Sequence, residues 1–185
     1  MDSRQVLIIV VLIAVIAIAA VVIVMMRKRR SLKLRERFGP EYDRVVKQEG
    51  DVSKGEGVLA FREKRRAEFK IRTLSPADRA SFLQRWNEVQ SQFVDDPKGA
   101  VTVADSLVSE VMQARGYPVG NFEQRSADLS VDYAKVVDNY RAAHDIALRH
   151  NSGKASTEDL RQAMVHYRTL FEELLGRDEP QRKGA

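Results

Sequence analysis

Hydrophobic and polar positions fall into three regimes along the chain. From Val6 to Met26, 21 consecutive residues carry no charged or polar side chain. A helix of that length rises about 30 Å, the thickness of a bilayer's hydrocarbon core. From residue 27 to 74 apolar positions are sparse and charges dense. From Ser75 to Gly176 apolar residues recur at helical spacing, and no stretch alternates with the period of a strand.

The third regime predicts an antiparallel helical bundle over 75–176. Ser75-Pro76-Ala77-Asp78 reads as a helix start, with a capping serine, proline in the first turn and an acid at the third position. Phe82, Trp86, Val89 and Phe93 then form one stripe. Asp95-Asp96-Pro97 ends this helix and caps the next, whose face is Ala100, Ala104, Leu107 and Val111, widened by Val101, Val103, Val108 and Met112. Gly116 is the stop. A short helix is predicted from Asn121 to Asp128, and a long one from Asp132 to His150 with Val136, Val137, Tyr140, Ala143, Ala147 and Leu148 inward. Ser156 caps the last helix, with Asp159 three residues on, and Gly176 ends it. The tail 177–185 is polar and reads as disordered.

The middle regime reads as a basic juxtamembrane spacer over 27–74. The first helix is expected to stop at Gly39-Pro40, a short one to span Glu41–Glu49, and Gly50 to Gly57 to form a flexible loop, with three glycines in eight residues. Val58 to Ile71 is helical in composition, with only a thin stripe of Leu59, Arg62, Arg66 and Phe69 on one face. Residues 31–74 are therefore expected to lie outside any core.

Charge turns the apolar run into an oriented anchor. A cleaved signal peptide has a shorter apolar region, with its positive charge before it and a small-residue cleavage site after it. Here Ala17-Ile18-Ala19 lies inside the run and Arg27, Lys28, Arg29 and Arg30 follow it. The positive-inside rule leaves residues 1–5 extracytoplasmic and the soluble domain in the cytoplasm, so the chain reads as a single-pass inner-membrane protein, N-terminus out. The span holds no glycine, no small-xxx-small pair and no ionisable residue, which gives no support to a tightly crossed dimer or a transport path.

The formal net charge of +5 divides unevenly. Residues 27–74 carry 16 basic and 8 acidic side chains, whereas 75–175 carry 11 basic and 15 acidic. The basic character thus belongs to the arm, where Arg27–Arg37 and Arg62–Arg72 are candidates to meet anionic lipid headgroups. The anchor and the acidic bundle argue against nucleic acid as the polyanion.

With no cysteine, the chain has no disulfide scaffold, thiolate metal site or thiol chemistry. His144 and His150 are six apart, off the i, i+3 or i, i+4 spacing of helical metal ligands. The Asp95-Asp96 pair is more simply helix punctuation than acid–base machinery. No phosphate-binding, dinucleotide, nucleophile-elbow or zinc-hydrolase motif is present. No cofactor, metal or catalytic residue is therefore assigned. Tyr117, Pro118 and Phe122, between helices, are the candidate surface for a protein partner, if they do not fold back over the bundle end.

A resemblance is carried by Phe82-Leu83-Gln84-Arg85-Trp86, Val89-Gln90, Phe93-Val94-Asp95-Asp96-Pro97, the run from Ala104 to Met112, the run from Leu34 to Asp43, and Glu158-Asp159-Leu160-Arg161-Gln162-Ala163-Met164. Together they resemble a family of bacterial membrane-anchored or secreted helical proteins described only as hypothetical. The resemblance covers most of the soluble part and implies a shared helical domain. It carries over no activity, cofactor or site residue.

The chain is thus expected to be all-α: a single transmembrane helix, a helical basic spacer and an antiparallel bundle. Its expected role is that of a non-enzymatic protein-interaction or scaffold module at the cytoplasmic face. The alternatives are anionic-lipid binding through the arm and, more distantly, an enzyme.

Overall fold

The computed structural model describes residues 3–176, with side chains from Val11 onward. The tail 177–185 lies outside the described residues. Eight helices and no strand occur among those described: α1 (Ser3–Phe38), α2 (Pro40–Glu49), α3 (Val52–Ala67), α4 (Pro76–Asp95), α5 (Pro97–Ala114), α6 (Phe122–Asp132), α7 (Val137–Asn151) and α8 (Thr157–Leu175). The chain divides into two units, Met1–Leu59 and Ala60–Ala185.

In the first unit, α1 ends where Gly39-Pro40 removes the helical hydrogen bond, and α2 turns back along it. The antiparallel course shows in Arg35, which reaches Asp43 at 3.4 Å and lies 5.0 Å above the Tyr42 ring. Gly50, at φ +69°, reverses the chain again. α3 then begins beside the upper part of α1's polar half, where the Ser31 hydroxyl donates to Glu56. The same Glu56 carboxylate accepts from the Tyr42 hydroxyl at 2.8 Å. Burial, the largest cause, raises the Tyr42 pKa.

This corrects two sequence expectations. Residues 52–57 are helical rather than a loop. A Cβ on Gly55 would stand 2.9 Å from the Val46 Cα, so the absent side chain is what lets α2 and α3 approach. Nor is the segment 31–74 without buried apolar groups. Leu34, Phe38, Tyr42, Val45 and Leu59 are all buried, and Glu41 is buried with Arg44 clasping its two oxygens at 2.8 and 2.9 Å.

In the second unit, α4 to α8 form the bundle. Helix direction follows from the side-chain pairs. Arg85 on α4 pairs with Glu110 on α5 at 2.8 Å, so the two run antiparallel from the Asp96 corner. Tyr167 on α8 donates to Asp105 on α5 at 3.1 Å, and Arg115 donates to the Leu174 carbonyl at 2.6 Å, so these two run parallel. α7 returns antiparallel to α8, with Asn139 beside His166 and Arg149 beside Asp159. The core joins Trp86 and Val89 to Leu107, Val111 and Met112, and these to Tyr140, Tyr167, Leu170, Phe171 and Leu174.

The predicted starts of four helices recur as hydrogen bonds. Ser75 accepts from the Asp78 N–H, Asp96 from Gly99 and Asn121 from Gln124, and Ser156 with Asp159 closes a full capping box. The expected helix from Asp132 to His150 instead breaks. α6 runs on to Asp132, a turn spans 133–136, and α7 starts at Val137. On α7 the buried face of Val137, Tyr140 and Ala143 continues to Ile146, and Leu148, expected inward, is 54% exposed. Phe69, Ile71 and Leu74 also pack on the bundle core, ahead of Ser75.

Candidate functional site

From Val11 to Met26 every large apolar side chain is between 47% and 66% exposed. This helix is long and apolar enough to cross a membrane. It continues unbroken into Arg27, Lys28, Arg29 and Arg30, all exposed. On the helix surface positions 27, 30 and 31 share one face. That face meets the start of α3. Arg27, Lys28, Arg30 and Ser31 form one wall of an open cavity of about 650 Å³, and Asp51, Val52, Ser53, Glu56 and Gly57 form the other. Because α2 carries the chain back along α1, the Gly50–Asp51 turn stands level with the four cations. Asp51 accepts from the Lys54 N–H at 2.8 Å, which caps the first turn of α3. Sequence reading found the first wall and missed the second. The available signal was the pair Tyr42 and Val45, three apart, which marks a buried face on α2.

The distal half of the expected lipid-facing arm is engaged within the second unit. Arg62 donates to the Ser130 hydroxyl at 3.1 Å and Arg65 to the buried Asp128 carboxylate at 2.9 Å. Arg66 pairs with Asp132, and the Arg72 Nε–H donates to the Ala114 carbonyl at 2.6 Å. These arginines fasten the end of α3 and the segment after it to α6 and α5. They are not a free polycation.

The expected partner surface is corrected in the same way. Tyr117 is only 3% exposed. Its hydroxyl donates to Asp132, its ring lies edge-on to Phe69, and Arg66 lies 5.9 Å above it. Burial and then the Asp132 carboxylate push its phenol far above the ordinary range. Pro118 is half-buried. Phe122 is half-buried too, stacked on His144 at 3.6 Å between ring centroids and 4.8 Å from Tyr140. The three side chains fold over the bundle instead of presenting an apolar patch. Desolvation beneath Phe122 lowers the His144 pKa.

His166 contacts the Asn139 amide oxygen at 2.8 Å. No group of three or more His, Asp and Glu suited to a metal ion occurs among the described residues. Asp96 serves as a cap, as read from the sequence. A polar cluster that only the fold assembles lies between α5, α6 and α8. Arg125 bonds Ser109 and approaches Asp105 at 3.9 Å, and Asp105 accepts from Tyr167. Burial first, then the Asp105 charge, raises the Tyr167 pKa, so this phenol stays neutral and donates. A wide groove of about 930 Å³ lies between Pro76, Arg79, Ala80 and Leu83 on α4 and Glu173, Leu175 and Gly176 at the end of α8, with Arg115 and Tyr133 at its base.

No protein-family model, curated protein or solved structure matches this chain.

Proposed function

We propose that this chain is a single-pass inner-membrane protein whose helical bundle acts as a non-enzymatic protein-interaction or scaffold module on the cytoplasmic side. The observation that carries the reading is α1, an exposed apolar helix that runs straight into Arg27, Lys28, Arg29 and Arg30. Confinement at the bilayer raises the bundle's effective concentration for membrane-associated partners. A partner would meet an acidic surface and the groove between α4 and the end of α8. The strings around Trp86, Asp96 and Glu158 are read as a resemblance to bacterial membrane-anchored or secreted helical proteins.

The second reading is contact with anionic lipid, now confined to the proximal arm. It is favoured by the exposure of Arg27–Arg30 directly after the apolar run.

Cross-linking in intact cells, with the full chain tagged at its C-terminus, tests the scaffold reading. The expected result is capture of one cytoplasmic or membrane protein, lost when residues 60–176 are removed. Capture of extracytoplasmic proteins would reverse the orientation, and background alone would sink the scaffold role.

A further inference from the structure

We infer that the cavity between the exit of α1 and the α2–α3 turn is a binding site for one anionic phospholipid headgroup, with its phosphodiester held by Arg27, Lys28 and Arg30. The inference rests on the membrane-anchored reading and adds a defined pocket to it.

Position is the first argument. Met26 is the last residue of the apolar run, so a spanning α1 puts residues 27–31 at the depth of lipid phosphates. Nothing in an anchor alone requires a second wall there. The fold supplies one by folding α2 back and starting α3 beside Ser31. The headgroup layer is therefore met by a cleft with two sides.

Charge is the second argument. The lining holds three cations, Arg27, Lys28 and Arg30, against two acids, Asp51 and Glu56. Glu56 already accepts from Ser31 and Tyr42, and Asp51 caps α3. The lining thus carries one net positive charge, the complement of a single phosphodiester. Arg27 and Arg30, one turn apart, offer planar forks suited to phosphate oxygens. The opposite wall offers the Ser53 hydroxyl and the remaining Asp51 oxygen to a hydroxylated headgroup such as glycerol. Diffuse attraction to a basic collar counts charge and ignores where it sits, whereas a two-walled pocket depends on these positions.

The test uses the full-length protein, purified in detergent and presented with phosphatidylglycerol or phosphatidylcholine, with retained lipid counted by native mass spectrometry. One phosphatidylglycerol per chain should be retained, and phosphatidylcholine should not. Replacing Arg27, Lys28 and Arg30 by Gln should reduce retention at least tenfold. Replacing Arg29, Lys33 and Lys47 by Gln removes the same charge outside the cavity and should leave retention unchanged. Gly57→Leu is the second variant, because Gly57 lines the cavity, a Cβ there meets no atom within 4 Å, and the added side chain takes up cavity space without changing charge. It too should abolish retention while the helical circular dichroism persists. Equal loss in both triple variants, or full retention in Gly57→Leu, overturns the pocket and leaves diffuse attraction. Displacement of the lipid by millimolar inorganic phosphate makes it a free-phosphate site. Resistance of the protein to carbonate extraction from membranes separates the two levels. Extraction overturns the anchored reading itself, whereas an integral protein that retains no lipid overturns only the pocket.

Discussion

Arg65 and Asp128 stand 63 residues apart in sequence and 2.9 Å apart in the fold, and the Asp128 side chain is wholly buried. The carboxylate has a second donor, the Gln124 amide, also at 2.9 Å. Removing the arginine leaves a buried charge with one neutral partner. Losing one member of a buried pair costs about 3–5 kcal/mol. Arg65 keeps 34% of its side chain in solvent, which places the expected loss for Arg65→Ala near the lower end, about 3 kcal/mol. Urea unfolding of the single variants and of Arg65→Met with Asp128→Leu checks this. The double variant should recover part of the loss, and a double-variant loss equal to the sum of the two single losses would show that the pair itself contributes nothing.

Two glycines of α3 should respond in opposite directions. A Cβ at position 55 meets the Val46 backbone, whereas one at position 57 meets nothing within 4 Å. Gly55→Ala should force α2 away from α3 and destabilise the first unit by about 1–3 kcal/mol, the cost of overpacking. Gly57→Ala should stabilise the helix by up to about 1 kcal/mol. Amide hydrogen exchange across residues 40–59 reads both, and a stabilising Gly55→Ala would show that the close approach is not required.

The chain has one tryptophan, and Trp86 lies stacked on Phe171 with ring centroids 4.6 Å apart. Its fluorescence therefore reports the contact between α4 and α8. Phe171→Ala should cost about 3–5 kcal/mol and shift the emission to the red. Unchanged emission would mean that Trp86 is shielded by other neighbours.

Three carboxylates hold their pKa values below the ordinary range. Arg85 lowers that of Glu110, the Arg161 hydrogen bond brings Glu158 to about 2, and the Ser156 hydroxyl lowers that of Asp159. A depressed folded-state pKa gives stability that is complete above the unfolded value, about 4, and is lost as pH falls through the folded value. The melting temperature should therefore hold from pH 7 to 5 and decline below about pH 4. Glu110→Gln and Glu158→Gln together should flatten that decline. A melting temperature that rises on acidification would contradict the assignment.

Orientation is open to a clean labelling experiment, because the chain contains no cysteine. Ser3→Cys should react with an impermeant maleimide added to intact spheroplasts. Lys154→Cys should react only after the membrane is opened. The reverse pattern would place the bundle outside the cytoplasm.

Helix starts were legible because they are local. Ser75-Pro76, Asp96-Pro97, Asn121 and Ser156 each satisfy an N–H within three residues, so composition and order suffice. The apolar run of α1 was legible for the same reason. The remainder depends on contacts distant in sequence. Gly55 reads as a loop residue until Val46 is seen against it, and Arg62, Arg65 and Arg66 read as a free basic arm until α6 arrives with Ser130, Asp128 and Asp132. Tyr117 follows a helix stop and precedes a proline, which suggests exposure, yet Phe69 and Asp132 enclose it. Half of the candidate cavity was visible as a run of cations. The other half, at Asp51 and Ser53, required knowing that α2 turns back.

The double reversal in the first unit also fixes a distance. Residues 27 to 59, fully extended, would reach about 110 Å. Instead α1 descends to Phe38, α2 climbs again, and α3 restarts level with Arg27–Arg30. Leu59 then lies two turns of helix beneath that level, about 10 Å. The segment has the geometry of a ruler and not of a leash: helical rise sets how far from Arg27–Arg30 the first unit ends, and most of its contour length adds nothing to that distance.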